Sequence, residues 1–263
     1  MVAVEPKPAG WSVEYGAVFG ERGLVGRYHL RPAYPQELVD LLGELSGGGR
    51  VLDAGCGTGE LARRLAPVAS HVDAVDASEA MLAVARAESS PNVTWIHGRI
   101  EDAELSPPYA LAVCGDSIHW FDWERALPRL AELLADGGPL VIVQRDWMPE
   151  ELWPLLAPVY QRHSWNSHFE RLDVVAELER RGLFTRSGQR VSEPAPWRPT
   201  LDEFVDVHFS TSGFAQERMR DPDGFDAEVR AIVEQTLTAR DDGRYDLHVV
   251  GAATWGRPAA PRL

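Results

Sequence analysis

The feature that most constrains this 263-residue chain is the segment Arg50–Leu61, which reads RVLDAGCGTGEL. Val51 and Leu52 predict a buried strand, and the apolar residues that follow Gly59 at helical spacing predict a helix. The three glycines at alternate positions let the backbone adopt positive φ and pass close to a ligand. A helix N-terminus presents backbone N–H groups that have no partner within the helix, which favours an anion. The segment therefore predicts a strand–turn–helix unit that holds a carboxylate or another anion.

The spacing of these glycines differs from that of the dinucleotide-binding fingerprint G-x-G-x-x-G. Glu60 stands where that fingerprint has its third glycine, and a carboxylate would crowd the close helix–strand contact made there. The pattern speaks against an oxidoreductase or another binder of a dinucleotide, which stays open as an alternative. Asp53 ends the strand; because a carboxylate cannot bind an anion, we expect it to brace the turn or attract a cation.

Strand and helix patterns alternate after this segment. Apolar runs predict strands at 71–75, 92–97, 110–114 and 139–144, and helical periodicity predicts helices at about 35–45, 79–88 and 122–134. Ser78 is the predicted N-cap of the second of these helices. Such alternation indicates an α/β fold with a doubly wound, mostly parallel sheet. Farther on, the patterns predict a helix at 172–181, a strand at 183–191 and a closing strand at 245–255.

The chain divides into four predicted parts. Residues 1–34 mix aromatic residues with glycines and predict a mobile N-terminal flap, and residues 35–145 form the predicted cofactor-binding core. Residues 146–170 and 197–243 are rich in aromatic residues and predict a helical cap. Residues 171–196 and 244–263 complete the predicted sheet.

Charge and composition exclude several classes of function. The net charge of −14 argues against a nucleic-acid partner, because phosphate binding depends on Lys and Arg. No apolar run is long enough to span a membrane, and the N-terminus does not resemble a signal peptide. Cys56 and Cys114 have neither a metal-binding nor a disulfide spacing, so we expect free thiols in a cytoplasmic protein. The predicted partner is a small molecule; the oligomeric state stays open.

Several motifs resemble those of one superfamily. The run VLDAGCGTG at 51–59 resembles motif I of the class I S-adenosylmethionine-dependent methyltransferases, and VDASEAML at 75–82 resembles their motif II. The runs RPAYP at 31–35, HWFD at 119–122 and LLADGGPLVIV at 133–143 are similar to small-molecule methyltransferases of the trans-aconitate and ubiquinone type. The resemblance covers roughly residues 28–145. It implies a Rossmann-like, seven-stranded sheet with a helical cap insertion, and S-adenosylmethionine as the cofactor.

The resemblance also implies which residues contact the cofactor. Asp76 would accept hydrogen bonds from both ribose hydroxyls, although the same placement serves NAD. Arg99 stands where the superfamily usually has an acidic contact to adenine, so its own contact stays open, while the backbone of Ile100 could still reach the base. The predicted cofactor-binding residues are Tyr28, Arg31, Asp53, Ala54, Gly55, Cys56, Gly57, Gly59, Asp76, Ala77, Met81, Arg99, Ile100, Gly115 and Asp116.

Methyl transfer to a small-molecule acceptor follows from this resemblance, with O-methylation as the leading hypothesis. His119 follows the fourth strand and is the predicted general base, because imidazole titrates near neutral pH; the weaker candidates are His163, His168 and His208. No metal site is predicted. N- or C-methylation stays open, as does a catalytically silent protein that binds the cofactor or a partner. The aromatic-rich segment at residues 147–169, which could cover the site as a lid, is a feature associated with natural-product biosynthesis.

Overall fold

The computed structural model describes residues 6–88, 90–166, 168 and 173–259. Its centre is a mostly parallel sheet in the order β3-β2-β1-β4-β5-β8-β6, with a short β7 paired to β8. Strands β1 to β5 are parallel to one another, whereas β8 runs antiparallel to both β5 and β6. The strands are β1 Arg50–Ala54, β2 His71–Asp76, β3 Val93–His97, β4 Leu111–Gly115, β5 Leu140–Asp146, β6 Phe184–Val191, β7 Ala195–Trp197 and β8 Leu247–Pro258. The predicted doubly wound α/β fold is confirmed.

Ten α-helices lie in the described residues. They are α1 Val13–Gly16, α2 Arg22–Arg27, α3 Gln36–Ser46, α4 Glu60–Leu65, α5 Glu79–Ala87, α6 Trp123–Leu133, α7 Trp153–His163, α8 Val174–Arg180, α9 Leu201–His208 and α10 Pro222–Thr236. The Ser78 hydroxyl caps α5 by accepting from the Met81 N–H at 3.2 Å, which confirms the predicted N-cap. Thr200 and Glu203 close the start of α9 with a reciprocal capping box.

Two apolar clusters cover the two faces of the sheet. Alternate residues of the central strands point to opposite sides, so Leu52 joins the cluster that packs on α6 and α8 while Val51 joins the one that packs on α3 and α4. Both residues are fully buried, as expected for a parallel strand covered on both faces. The core thus fixes the sheet and leaves the carboxyl ends of its strands open to a ligand.

A third cluster lies beyond the carboxyl ends of the strands. It joins α7, α9 and α10 through Tyr160, Phe204 and Phe225, and the Phe214 and Phe225 rings stack at 4.8 Å. These helices come from chain segments on either side of β6 and β7, as expected for a helical cap insertion. The cap therefore places a cluster of aromatic side chains next to the carboxyl ends of the strands.

The N-terminal residues, predicted as a flap, contain several short helical turns. Residues 9–30 form a chain of short 3-10 and α-helical turns, because buried anchors such as Leu24 hold them down. Arg27 pairs with Asp206 of the cap at 3.0 Å, and the Ser78 hydroxyl donates to the Phe19 carbonyl at 2.8 Å. Parts of the predictions at residues 1–5, 169–172 and 260–263, including the predicted start of a helix at Leu172, lie outside the described residues.

Candidate cofactor and acceptor sites

A first cavity of about 440 Å³ opens where β1, β2 and β4 end. The glycine turn after β1 forms one wall, the start of α5 another, and the N-terminal helices cover it. Ten of the predicted cofactor-binding residues line it: Tyr28, Gly55, Gly57, Asp76, Ala77, Met81, Arg99, Ile100, Gly115 and Asp116. The fold therefore brings residues from five separate chain segments to one cavity.

The glycine turn is held by the neighbouring strand. The N–H groups of Gly55 and Cys56 both donate to the Val75 carbonyl, at 2.8 and 2.9 Å. Gly55 has a φ of +72°, and a Cβ on it would lie 2.5 Å from Cβ of Ser117. Only glycine meets both conditions, so the turn can pass this close to the loop after β4.

Asp76 connects the turn to α5. Its Oδ2 accepts from the Gly57 N–H at 2.7 Å and its Oδ1 from the Ser78 N–H at 2.8 Å. Burial raises the pKa of this carboxyl, and the two N–H groups oppose that shift. Each carboxylate oxygen can accept about two hydrogen bonds, so each retains capacity for a hydroxyl donor from the cavity. This geometry fits the two hydroxyls of a ribose.

Asp53 lies beneath the turn in a small pocket that shares Gly55 and Gly115 with the first cavity. The residue is 1% exposed, and burial raises its pKa to about 7. Its Oδ2 has no hydrogen-bond partner among the described residues. An orphaned buried carboxylate oxygen of this kind fits a cationic group.

The segment after β3 forms a further wall of the first cavity, and it contains Arg99, the residue that stands where the superfamily usually has an acidic one. Arg99 pairs with Glu101, the Nη2–Oε1 distance being 3.1 Å, and the Glu101 side chain is 2% exposed. Glu101 also accepts from the Asp122 N–H at 2.7 Å. The acidic residue at this wall is therefore Glu101, two positions after Arg99, which the motif comparison missed. Ile100 is buried beside it.

The remaining predicted residues lie next to the first cavity without lining it. Ala54 is buried in β1 and its carbonyl accepts from the Ser117 hydroxyl at 2.6 Å, while Gly59 is the N-cap of α4. Cys56 lines the small pocket with Asp53. The Arg31 guanidinium stacks on the Tyr28 ring at 4.2 Å and donates to Ser210 of the cap.

His119 does not reach either of the two large cavities. Its ring lies between Trp11 and Trp120, with ring centroids 6.0 and 4.5 Å away. Burial lowers its pKa to about 3, with smaller contributions from Lys7 and Arg31. The general-base role therefore gains no support from this position, because the neighbouring indoles occupy the space that a substrate would need. Trp120 lines the first cavity in its place, a role that the sequence did not indicate.

A second cavity of about 430 Å³ lies between the sheet edge and the cap. The end of β5, the middle of β8 and helices α7 and α9 enclose it. Its walls are formed by Asp116, Gln144, Arg145, Asp146, Trp147, Met148, Trp153, Tyr160, His208, Thr211, Phe214, Val250, Gly251 and Ala252. Asp116 lines both large cavities, so the two meet at the residue that follows β4.

A buried polar network surrounds this junction. Arg145, whose side chain is 4% exposed, pairs with Asp116 at 3.2 Å and with Glu60 at 3.0 Å. The Tyr34 hydroxyl donates to Asp116 at 2.9 Å, and Glu60 accepts from the Tyr34 N–H at 2.8 Å. Burial raises the pKa of Asp116, against the opposing effect of Arg145. The network joins the first helix after the glycine turn to the ends of β4 and β5.

A tyrosine–histidine pair forms the opposite side of the second cavity. The His208 Nδ1 lies 2.8 Å from the Phe204 carbonyl, so this nitrogen carries the proton. Burial lowers the pKa of His208 to about 4, which keeps the ring neutral at pH 7. The Nε2 is therefore an acceptor, and the Tyr160 hydroxyl donates to it at 2.6 Å. His208 reaches the cavity that His119 does not.

Comparisons with known proteins agree with this architecture. A family model described as a methyltransferase domain matches residues 51–138. An uncharacterized methyltransferase of Mycobacterium tuberculosis is 34% identical over 193 residues, covering 71% of this chain and 66% of the relative. A ubiquinone biosynthesis O-methyltransferase of Xylella fastidiosa is 29% identical over 188 residues, which cover 65% of this chain and 75% of that relative. A solved candidate type II methyltransferase of Anaeromyxobacter dehalogenans is 25% identical with a TM-score of 0.65, covering 86% of this chain and 97% of that one.

The fold and the glycine turn define a Rossmann-like protein, a class whose ligands bind outside the carboxyl ends of the strands. The chain belongs to the class I S-adenosylmethionine-dependent methyltransferase superfamily. S-adenosylmethionine is accordingly the cofactor of its family, as the motifs predict. The chain spans 66% of the length of the mycobacterial relative. No helix in the described ranges combines the length and hydropathy that a membrane crossing requires.

Proposed function

We propose that this chain transfers a methyl group from S-adenosylmethionine to a small-molecule acceptor, with the cofactor in the first cavity and the acceptor in the second. The observation that carries the proposal is the meeting of the two cavities at Asp116. A donor and an acceptor held in separate but adjoining cavities can be aligned for direct displacement, which gains most of its rate from orientation.

The residues of the first cavity and the pocket beneath it fit the parts of this cofactor. Asp76 would accept from the ribose hydroxyls, and Asp53 would face the ammonium group. The backbone N–H groups of the glycine turn and of the start of α4 suit the carboxylate of the cofactor. Ile100 and Met81 supply apolar surface for the adenine, with Glu101 and Arg99 at the edge of that wall.

Bound S-adenosylmethionine supplies an electrophilic methyl group on a sulfonium centre. The chain contributes orientation and the exclusion of water. Tyr28 and Phe19 of the N-terminal helices and Trp120 after β4 line the first cavity, and their apolar rings keep solvent away from it. Aromatic faces also attract a sulfonium-like cation.

O-methylation is part of the proposal. One relative of this chain is named an O-methyltransferase, and the carboxylate of Asp116 stands where a hydroxyl nucleophile would enter from the second cavity. His119 lines neither cavity. Its predicted role as general base therefore has less support than the same role for a group where the two cavities meet. We include a role in natural-product biosynthesis because the second cavity is lined by aromatic rings.

Calorimetry tests the cofactor half of the proposal. S-adenosylmethionine should bind with one site per chain and NAD should not bind, since Glu60 occupies the position of the third glycine in the dinucleotide fingerprint. Binding of NAD in preference to S-adenosylmethionine would overturn the proposal.

An Ala252→Phe variant tests the acceptor half. Ala252 lines the second cavity but not the first, so a phenylalanine there should leave S-adenosylmethionine binding intact. Formation of S-adenosylhomocysteine with a panel of phenols and amines should fall at least tenfold. Ala83→Phe, at an exposed position of α5, is the matched control. Full turnover by Ala252→Phe would place the acceptor elsewhere.

A further inference from the structure

We infer that the second cavity takes an aromatic acceptor that is uncharged or cationic and that donates an O–H or N–H hydrogen bond to the carboxylate of Asp116. The inference rests on the proposed function and adds to it the chemical class of the acceptor and the residue that recognises it. Three features of the cavity carry it: its aromatic walls, its charges and the direction of its hydrogen bonds.

The walls favour a flat, apolar body. Trp147, Trp153 and Phe214 line the second cavity. The Trp147 ring is held edge-on against His208 at 5.1 Å and against Trp197 at 5.6 Å, so its position is fixed by packing. Aromatic rings held in this way offer faces and edges for an aromatic ligand in the offset and T-shaped arrangements that such pairs prefer.

The charges disfavour an anion. Arg145 is the one guanidinium or ammonium group among the described residues that line the second cavity, and it already pairs with both Asp116 and Glu60. A carboxylate or phosphate on the acceptor would therefore lie beside the Asp116 carboxylate and would compete with Asp116 and Glu60 for Arg145, in a partly dry site where repulsion is strong.

Asp116 is placed to receive a donor. Its Oδ2 accepts from Tyr34 and Arg145, whereas its Oδ1 meets, among the described residues, only the Arg145 main-chain N–H at 3.4 Å. Its side chain retains 23% exposure in a site where Arg145 is buried. It is also the one non-glycine residue with positive φ in the described part of the chain, at +48°. Backbone strain of this kind is typical of functional positions.

The hydroxyl groups of the second cavity point their protons away from a ligand. The Tyr160 hydroxyl donates to the His208 Nε2, and the Thr211 hydroxyl donates to the His208 carbonyl at 2.7 Å. The Thr211 hydroxyl therefore offers its oxygen to the cavity, as the Asp116 carboxylate does. A ligand that donates hydrogen bonds satisfies these groups, whereas one that only accepts them does not.

Three matched probes test the inference in the full chain saturated with S-adenosylhomocysteine at pH 7. We use 2-naphthol as a neutral donor, 2-methoxynaphthalene as its analogue without a donor, and 6-hydroxy-2-naphthoate as its anion. By calorimetry, 2-naphthol should bind about tenfold more tightly than either of the others, since a hydrogen bond to a charged group is worth at least that factor. Asp116→Asn keeps the shape of the side chain and tolerates positive φ. It should reduce severalfold both ratios of dissociation constants, that of 2-methoxynaphthalene to 2-naphthol and that of 6-hydroxy-2-naphthoate to 2-naphthol.

Asp241→Asn is the control for the change of charge, since Asp241 is exposed and lines neither cavity. It should leave both ratios as in the wild type. Equal or tighter binding of 6-hydroxy-2-naphthoate, binding of none of the probes, or unchanged ratios in Asp116→Asn would each overturn the inference. A wild-type protein that binds S-adenosylhomocysteine but lacks the preference refutes the inference alone. Failure to bind S-adenosylhomocysteine refutes the proposed function and this inference with it.

Discussion

Replacement of Asp76 by asparagine changes a single atom at the point where the glycine turn, α5 and the proposed ribose site meet. Both carboxylate oxygens accept a backbone N–H, one from Gly57 and one from Ser78. The asparagine amide has only one oxygen, so in either orientation its NH₂ group faces a backbone N–H donor. The variant therefore loses one of the two contacts, whichever way the amide turns.

The size of the effect follows from the type of bond that is lost. A hydrogen bond to a charged group contributes about 1.5–3 kcal/mol, so the free energy of unfolding without cofactor should fall by about 2 kcal/mol. The oxygen that becomes NH₂ also loses its capacity to accept from a ribose hydroxyl. A second loss of about 1.5–3 kcal/mol raises the dissociation constant of S-adenosylmethionine by roughly 10- to 100-fold.

Urea denaturation measures the first quantity and calorimetry with S-adenosylhomocysteine the second. Asp40→Asn is the matched control: Asp40 is exposed on α3 and accepts from Gln36, so neither quantity should change by more than about 0.5 kcal/mol. A variant at Asp76 that binds the cofactor product as tightly as the wild type does would falsify the assignment of Asp76 to the ribose. An unchanged unfolding energy would show that the two N–H contacts do not hold the turn.

Three further predictions follow from the same region. Arg145→Met leaves the partly exposed carboxylates of Asp116 and Glu60 without this cation, and urea denaturation should show a loss of about 2–3 kcal/mol; no loss would mean that the network of ion pairs does not stabilise the fold. Burial raises the pKa of Asp53 from 3.8 to about 7, so the folded protein holds a proton that the unfolded chain releases, and this residue lowers stability as the pH rises from 4 to 7. Asp53→Asn should therefore gain up to about 4 kcal/mol over the wild type across that window, and a constant difference across pH would contradict the shift. Gly115→Ala places a Cβ 2.6 Å from Leu61 and should cost about 1–3 kcal/mol in thermal or urea unfolding, unless the side chain of Leu61 can move aside.

Local patterns were sufficient to predict much of the first cavity. The spacing of the glycines after β1 and the position of Asp76 after β2 are properties of short segments, and parallel strands bring their carboxyl ends to one edge. That is why residues as distant as Gly55, Asp76 and Gly115 could be assigned to one cavity before the structure was known. The same reasoning treated Glu60 only as an obstacle to a dinucleotide. One of its partners is Arg145, 85 residues away, and no local pattern indicates that contact.

The histidines show where local reasoning fails. His119 follows the correct strand, but its ring turns into a space between two indoles, one of which comes from the N-terminal residues. His208 lies in the cap, where the sequence patterns set no bounds for individual helices, and the packing of the cap brings it to the second cavity. The direction of a side chain after a strand depends on the packing of distant segments, and spacing along the chain does not determine it.

The sequence alone predicts the α/β class, the positions of the core strands along the chain and the glycine turn, because each depends on backbone conformation and hydrophobic period within short segments. The family follows from the resemblance of short motifs. The meeting of the two cavities at Asp116, the contact of Arg145 with Glu60 at that junction, and the aromatic lining of the second cavity are visible only in the folded chain. These features arise between segments far apart in the chain, and their geometry is set by the packing of the cap against the sheet.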